Sequence, residues 1–232
     1  MIIQENVESI LMLCNIVEKV CSRDSKAIFD GAAKYCFRGS NLLQSVTGAK
    51  KCTEYFPANQ GQSLTFSRFT VRNVSMTMFN FGMQTTAKVR QSKLEVLQDG
   101  MVRMSTMHYH WVDWPDRGVP VADLAVIHLL ERICVRPTPI VVHCSAGIGR
   151  TGSVVLIEYA LEAFSLNQNI DSMDAILEKI RAQRSSSVQT DQQYLFVHQV
   201  LIEYYKGRET LDEKLMRKIE AFTKEYQKVV IV

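Results

Sequence analysis

The residues best suited to chemistry form one run: His143-Cys144-Ser145-Ala146-Gly147-Ile148-Gly149-Arg150-Thr151. Ahead of it, Ile140-Val141-Val142 is short and wholly apolar, as a buried strand would be. Behind it, residues 151–164 are apolar on nearly every face, which reads as a buried helix. A strand therefore delivers Cys144, small residues follow, and the chain turns straight into a helix near Arg150. Gly147 and Gly149 open backbone conformations that other residues avoid. Such a turn aims successive N–H groups inward at a helix N-terminus, where an oxyanion is stabilised. Arg150 adds a planar fork matched to phosphate oxygens. The same surroundings lower a thiol from about 8.5 into the range of roughly 3.5–7.5, so Cys144 is expected as a thiolate. The chemistry implied is in-line attack of Cys144 on phosphorus. Ser145, Ala146, Gly147, Ile148, Gly149 and Arg150 would bind the phosphoryl group. His143 and Thr151 flank the cysteine and are placed to bond to the loop or the sulfur.

Other elements must position this run. Ile10-Leu11-Met12-Leu13, within residues 9–16, has the look of a buried strand. Residues 63–71 alternate as a half-buried strand does, and residues 87–97 and 101–111 read as two more, joined by an Asp99-Gly100 hairpin turn. Met173, Ile176, Leu177 and Ile180 give a helix, as do Tyr194, Val197, Leu201 and Tyr204. Thr190 and Gln193 form a capping box at the start of the latter. Leu211, Leu215, Ile219, Phe222 and Tyr226 mark a charged-backed amphipathic helix, a C-terminal tail over residues 206–232. Residues 20–47 have no clear period and are read as a surface insertion. His108 and His110 flank Tyr109 on an apparent strand and are read as structural.

The cysteine run resembles the signature of the protein tyrosine phosphatases, and its wording resembles the tyrosine-specific branch. Trp114-Pro115-Asp116-Arg117-Gly118-Val119-Pro120 resembles that family's mobile acid loop. Gln189-Thr190-Asp191-Gln192-Gln193-Tyr194 resembles its glutamine loop. Glu18-Lys19 with Lys51-Cys52-Thr53-Glu54-Tyr55-Phe56-Pro57 resembles the segment that buttresses the active site. The resemblance implies an α/β fold: a twisted mixed β-sheet flanked by helices, with residues 1–205 as the phosphatase domain. It implies hydrolysis of phosphotyrosine in proteins through a phosphocysteine intermediate. Asp116 would protonate the tyrosyl leaving group and then activate water. Gln189, with Gln193, would orient that water, unless Gln193 serves only as the capping glutamine. Glu18 would brace Arg150 or be a surface acid at a strand end, and Lys51 is open to the same two readings. An ionised Cys144 and a protonated Asp116 imply a pH optimum on the acid side of neutral. No cofactor or metal is implied, and the partners implied are tyrosine-phosphorylated proteins.

The resemblance also has departures. The family's N-terminal helices and its phosphotyrosine-recognition loop are not visible in this sequence, and Met1-Ile2-Ile3-Gln4 resembles a point well inside the domain, so a partial domain is expected. The alternative reading is therefore a pseudophosphatase that binds phosphoproteins without turning them over. Joining Lys19 to Gly48 would give Glu-Lys-Gly-Ala-Lys-Lys-Cys, which resembles the uninterrupted family segment. Arg117 stands where many members have a bulky aromatic residue.

Bulk properties fit this reading. The chain has 232 residues, enough for one large domain, and a net charge of +3, too small to argue for nucleic acid. No stretch approaches the roughly 18 apolar residues of a membrane span. Glu5 and Glu8 stand where a signal peptide would be basic, so a cytoplasmic chain is expected. The six cysteines show no disulfide or zinc spacing.

Overall fold

The computed structural model describes residues 1–21, 34–36, 44–116, 118–135, 137–166, 168 and 172–230. Its main sheet has six strands: β1 (Ser9–Met12), β5 (Ser63–Phe66), β6 (Phe69–Met78), β7 (Val89–Gln98), β8 (Met101–Trp111) and β9 (Ile140–His143). Their order is β5-β6-β7-β8-β1-β9. The first four are antiparallel neighbours, whereas β1 lies parallel to both β8 and β9. The sheet is thus mixed, as the sequence implied. Parallel strands need burial on both faces, and β1 has it: Ile10, Leu11 and Met12 are all buried.

The β7–β8 turn is the one expected. Asp99 and Gly100 take positive φ of 52° and 83°, and Gln98 pairs with Met101. Residues 63–71 differ from expectation: they are not one strand but β5, a turn, and the start of β6. Ser67 takes a φ of 56° and Phe66 pairs with Phe69 across a two-residue connection. The alternation in sequence survived the turn, because each arm of a hairpin keeps its own period of two.

Five helices are present among the described residues: α1 (Ala125–Ile133), α2 (Gly149–Ser165), α3 (Met173–Gln183), α4 (Asp191–Lys206) and α5 (Glu213–Val229). Helix α2 is the hub, packing on α1, α3, α4 and β9. Ser153, Val154, Leu156, Ile157 and Ala160 are buried along it. Helix α1 has an apolar stripe of Val126, Leu129, Leu130 and Ile133 at helical spacing, and Asp123 accepts from the Ala125 N–H at its start. Thr190 caps α4, its hydroxyl accepting from the Gln193 N–H at 3.2 Å. Helix α5 lies on α4, with Ile219 and Tyr226 buried, and Gln192 of α4 donates to the Val229 carbonyl. No helix among the described residues is long and apolar enough to cross a membrane.

A second sheet holds β2 (Val17–Cys21), β3 (Lys34–Cys36) and β4 (Gln44–Lys50) in the order β2-β4-β3. Residues 20–47, read as an insertion, fall largely outside the described residues. The flanking ladder is described: Glu18 lies opposite Ala49 and Lys19 opposite Gly48.

Candidate active site

Strand β9 ends at His143, and the chain reaches the start of α2 six residues later at Gly149. Gly147, with a φ of 70°, makes the reversal that an L side chain would resist. This folds the loop back on its own cysteine: the Gly147 N–H points at Cys144 Sγ, 3.2 Å away. Arg184, at the end of α3, ties the loop from outside, with Nε donating to the Gly147 carbonyl at 2.6 Å and Nη2 to that of Ala146 at 3.2 Å. Nothing in the residue pattern singled out Arg184; it is one of several cations near the end of a charged helix.

Arg150 is almost wholly buried. Its Nη1 donates to the Leu13 carbonyl at 2.7 Å and to Glu18 Oε1 at 2.6 Å. Its Nη2 donates to Glu18 Oε2 at 2.7 Å and to Asp116 Oδ1 at 2.8 Å. All four terminal N–H groups therefore have partners, and the Nε–H remains. Glu18 is held in turn by the Asn15 N–H at 3.0 Å. Of the two readings of Glu18, the geometry agrees with the brace. Lys51 also reaches the site, with Nζ 2.8 Å from Asp116 Oδ2.

Asp116 thus bridges two cations. Burial pushes its carboxyl up, but the hydrogen bond and charge of Lys51, together with Arg150, pull it down further, so its net shift is below the usual carboxylate range. Trp114 anchors this segment. It is buried between Trp111 and Phe196, at ring distances of 5.0 Å and 5.6 Å, and its Nε1 donates to the Gly118 carbonyl at 3.2 Å. Arg117 lies outside the described residues.

Gln189 is brought to the same cleft by a tight packing of backbones. Gly152 of α2 comes so close to the Val188 N that a Cβ there would lie 2.5 Å from it. The Val188 N–H donates to the Ile148 carbonyl at 3.0 Å, and Arg181 holds the carbonyls of Ser187 and Val188. Val188 is held at a φ of 60°, a conformation that a β-branched residue adopts only when its surroundings dictate it. Gln193 has a capping role, though a shifted one: its Oε1 accepts from the Gln189 N–H at 2.8 Å instead of the cap residue's own. Lys51, Asp116, Cys144, Arg150, Gln189 and Gln193 line one cleft of about 120 Å³, together with Ser145, Ala146 and Gly149.

The two flanking residues do not touch the sulfur. His143 Nε2 lies 2.7 Å from the Tyr55 hydroxyl and its Nδ1 3.3 Å from the Cys144 carbonyl. The Thr151 hydroxyl is buried without a hydrogen-bond partner. Cys14, Cys52, Cys134 and Cys144 are all free thiols. No cluster of metal-ligating side chains occurs among the described residues.

Cys144 thus lies in a loop between a parallel strand and a buried helix, and comparison with known proteins gives the family. The family model for protein-tyrosine phosphatase matches residues 40–203. The chain belongs to the protein-tyrosine phosphatase family. Human receptor-type tyrosine-protein phosphatase zeta is 30% identical over 218 residues, which is 90% of this chain and 8% of that protein. Human receptor-type tyrosine-protein phosphatase epsilon is 37% identical over 129 residues, 52% of this chain and 18% of that protein. The chain thus spans a small part of these relatives. Among solved structures, the catalytic domain of human protein tyrosine phosphatase non-receptor type 18 superposes with a TM-score of 0.64 at 24% identity, covering 88% of this chain and 62% of that one. PTPN18 in complex with HER2 phosphopeptides gives a TM-score of 0.63 at 26% identity, covering 88% and 65%. The likeness confirms the fold expected from the sequence.

Proposed function

We propose that this chain hydrolyses phosphotyrosine in proteins, with Cys144 as nucleophile, Arg150 as phosphate clamp, Asp116 as general acid and base, and Gln189 as the residue that orients water. One observation carries the reading: Cys144, Arg150 and Asp116 face a single small cleft, with the Asp116 carboxylate on the guanidinium that a phosphate would occupy. The carboxylate on that guanidinium supports the reading, because it occupies a donor that would suit a phosphoryl oxygen.

The steps follow from the donors in place. A phosphoryl dianion that enters the cleft competes with Asp116 for Arg150 Nη2. Its oxygens also meet the loop's inward N–H groups and the Arg150 Nε–H, which stabilise charge on the transferring group. The incoming dianion places negative charge beside Asp116, which favours the protonated carboxyl. The Cys144 thiolate attacks phosphorus in line, the P–O bond to the tyrosyl oxygen breaks, and Asp116 gives its proton to that oxygen. A tyrosyl group with a pKa near 10 leaves slowly without that proton. Asp116, now a carboxylate, takes a proton from a water oriented by Gln189, and that water cleaves the phosphocysteine. Glu18 and the Leu13 carbonyl hold Arg150 in one orientation throughout. The partners of this reading are tyrosine-phosphorylated proteins, and a nucleophilic thiol of this kind suits the reducing cytoplasm.

The test is turnover of an aryl phosphate by the purified chain and by Cys144→Ser. Turnover by the parent chain and none by the variant is the expected result. Equal turnover in both would overturn the mechanism. Tight binding of a phosphotyrosine peptide with no turnover in either would establish the pseudophosphatase reading instead.

A further inference from the structure

Helix α5 is closed against α4 along only part of its length. In its C-terminal half Tyr226 is buried, the Thr223 hydroxyl donates to Gln199 at 3.2 Å, and Gln192 donates to the Val229 carbonyl at 3.0 Å. In its N-terminal half it leaves a groove of about 430 Å³ against α4 and the ends of α2 and α3. The apolar stripe of α5 continues into this groove without being covered. Leu215 is 43% exposed and Phe222 only half-buried, although both line it. Phe164 of α2 and Tyr205 of α4 line it with ring centroids 5.8 Å apart, and His198 lies 6.4 Å from Phe222.

The charge of the groove is one-sided. Lys206, the last residue of α4, and Lys218 of α5 line it, and no aspartate or glutamate does. Among the described residues neither lysine has an ion-pair partner. Both are exposed, so their stems can follow the apolar surface while the ammonium groups stay at the rim. The His198 Nδ1–H is committed to the Tyr194 carbonyl at 2.9 Å. The groove shares no residue with the cysteine cleft. Phe164 and Gly149 stand near opposite ends of α2, about 22 Å apart at the usual helical rise.

These features select the occupant. A concave apolar surface of this size falls among small-molecule sites, which span about 300–1,000 Å³. A folded partner would need about 800 Å² of surface from each side, and the flank of the groove does not supply more apolar surface. There α5 turns Glu213, Lys214, Arg217, Glu220 and Lys224 outward, all exposed. A ligand that enters the groove therefore fits better than one that lies across it. The apolar lining favours a hydrocarbon body. Two free ammonium groups favour one anionic end, and with no carboxylate in the lining nothing would hold a cation. We propose that this groove binds a long-chain aliphatic carboxylate, with its chain along Leu201, Tyr205, Ile219 and Phe222 and its carboxylate at Lys206 and Lys218. The apolar contact sets how tightly the ligand is held, and the lysines set which ligand it is. The site is independent of the reaction proposed for Cys144.

The experiment is titration of the full chain with decanoate below its micellar concentration, followed by backbone amide NMR. Decanol and decyltrimethylammonium serve as neutral and cationic probes of the same chain length. Decanoate should saturate one site and move the amides of α4, α5 and the end of α2. It should bind about 5- to 30-fold more tightly than decanol, the effect of one or two exposed ion pairs. Decyltrimethylammonium should bind more weakly than either. In the double variant Lys206→Gln, Lys218→Gln, decanoate should fall to the affinity of decanol, and decanol should be unchanged. Inorganic phosphate should not displace decanoate, and Cys144→Ser should bind it as the parent does, which separates this site from the cysteine cleft. Absence of a saturable site, equal affinity for the cationic probe, or displacement by phosphate would overturn the proposal. A dimer that Leu215→Lys disperses would assign the groove to a second copy of the chain instead. Binding to anionic vesicles or to an acidic helical peptide, but not to decanoate, would assign it to a membrane or a protein partner and overturn the proposal equally.

Discussion

The two sides of the cleft are built differently. On one side, Arg150 and Glu18 have side chains only 4% and 6% exposed, and their twin hydrogen bonds are backed by the Leu13 carbonyl and the Asn15 N–H. On the other, Asp116 and Lys51 are 23% and 19% exposed, and each carboxylate oxygen of Asp116 meets one cation. A buried charge has no water to fall back on, so the first pair is fixed for as long as the fold persists. Charges nearer solvent exchange partners at little cost. On the proposed mechanism the Arg150 clamp is therefore preorganised, whereas Asp116 is held by contacts that a phosphate would replace. That mechanism needs both kinds of pairing, because one group must keep still while the other changes protonation.

The largest expected effect breaks the exchangeable side at its centre. Asp116→Asn retains size and hydrogen-bonding capacity but has no proton to give. On the proposed mechanism kcat should fall about 10²- to 10⁴-fold, the usual contribution of a positioned acid, while phosphotyrosine binding persists. Steady-state kinetics on an aryl phosphate with a poor leaving group would measure it. A kcat within a factor of two of the parent would reject Asp116 as the acid.

The next substitution addresses the buried side. Glu18→Ala leaves the Arg150 guanidinium buried with half its partners gone. Breaking one member of a buried pair costs about 3–5 kcal/mol, so urea unfolding should move to markedly lower concentration. The matching change at the exposed pair, Lys51→Met, should cost no more than about 1 kcal/mol. Equal losses would erase the contrast between the two sides. Lys51→Met should act on pH dependence instead. Asp116 is net lowered in the fold, and Lys51 is one of the groups lowering it. On the proposed mechanism Asp116 acts only when protonated, so the alkaline limb of kcat/KM should move to higher pH when Lys51 is removed. The stability sign is separate: a lowered carboxylate stabilises the fold above its unfolded pKa, and that contribution fades as pH falls through the folded one. Lys51→Met should flatten this acid-side loss. A limb that moves down, or an unchanged acid-side slope, would show that Lys51 does not govern Asp116.

Much of this contrast was legible in the residues. The cysteine run carried its own geometry, because glycines, a short apolar strand and an apolar helix specify a turn at a helix N-terminus whatever surrounds it. Thr190 and Gln193 likewise announced the start of α4. What stayed hidden depended on distance in sequence. Glu18 lies 132 residues from Arg150 along the chain, and no local pattern tells a buttressing acid from a surface one. Arg184 was missed for the same reason: its role arises only when α3 is folded against the loop. Helix α1 was missed although its stripe of Val126, Leu129, Leu130 and Ile133 has helical spacing, and Asp123 was available as a start signal.

The smallest expected effect concerns residues 20–47, proposed to be an insertion that the site does not need. In the ladder between β2 and β4, Lys19 faces Gly48 and the next pair is Glu18 with Ala49. Removing residues 20–47 and joining Lys19 to Gly48 would make these two the centre of a two-residue turn closed by the Glu18–Ala49 pair. Glycine in the second position suits the left-handed conformation such turns require. Glu18 would keep its place against Arg150, because its register with Ala49 is unchanged. The shortened chain should therefore match the parent in kcat/KM and should be no less stable to urea. A large loss of either would mean that residues 20–47 help hold β2 in register, and that the Arg150 brace depends on them.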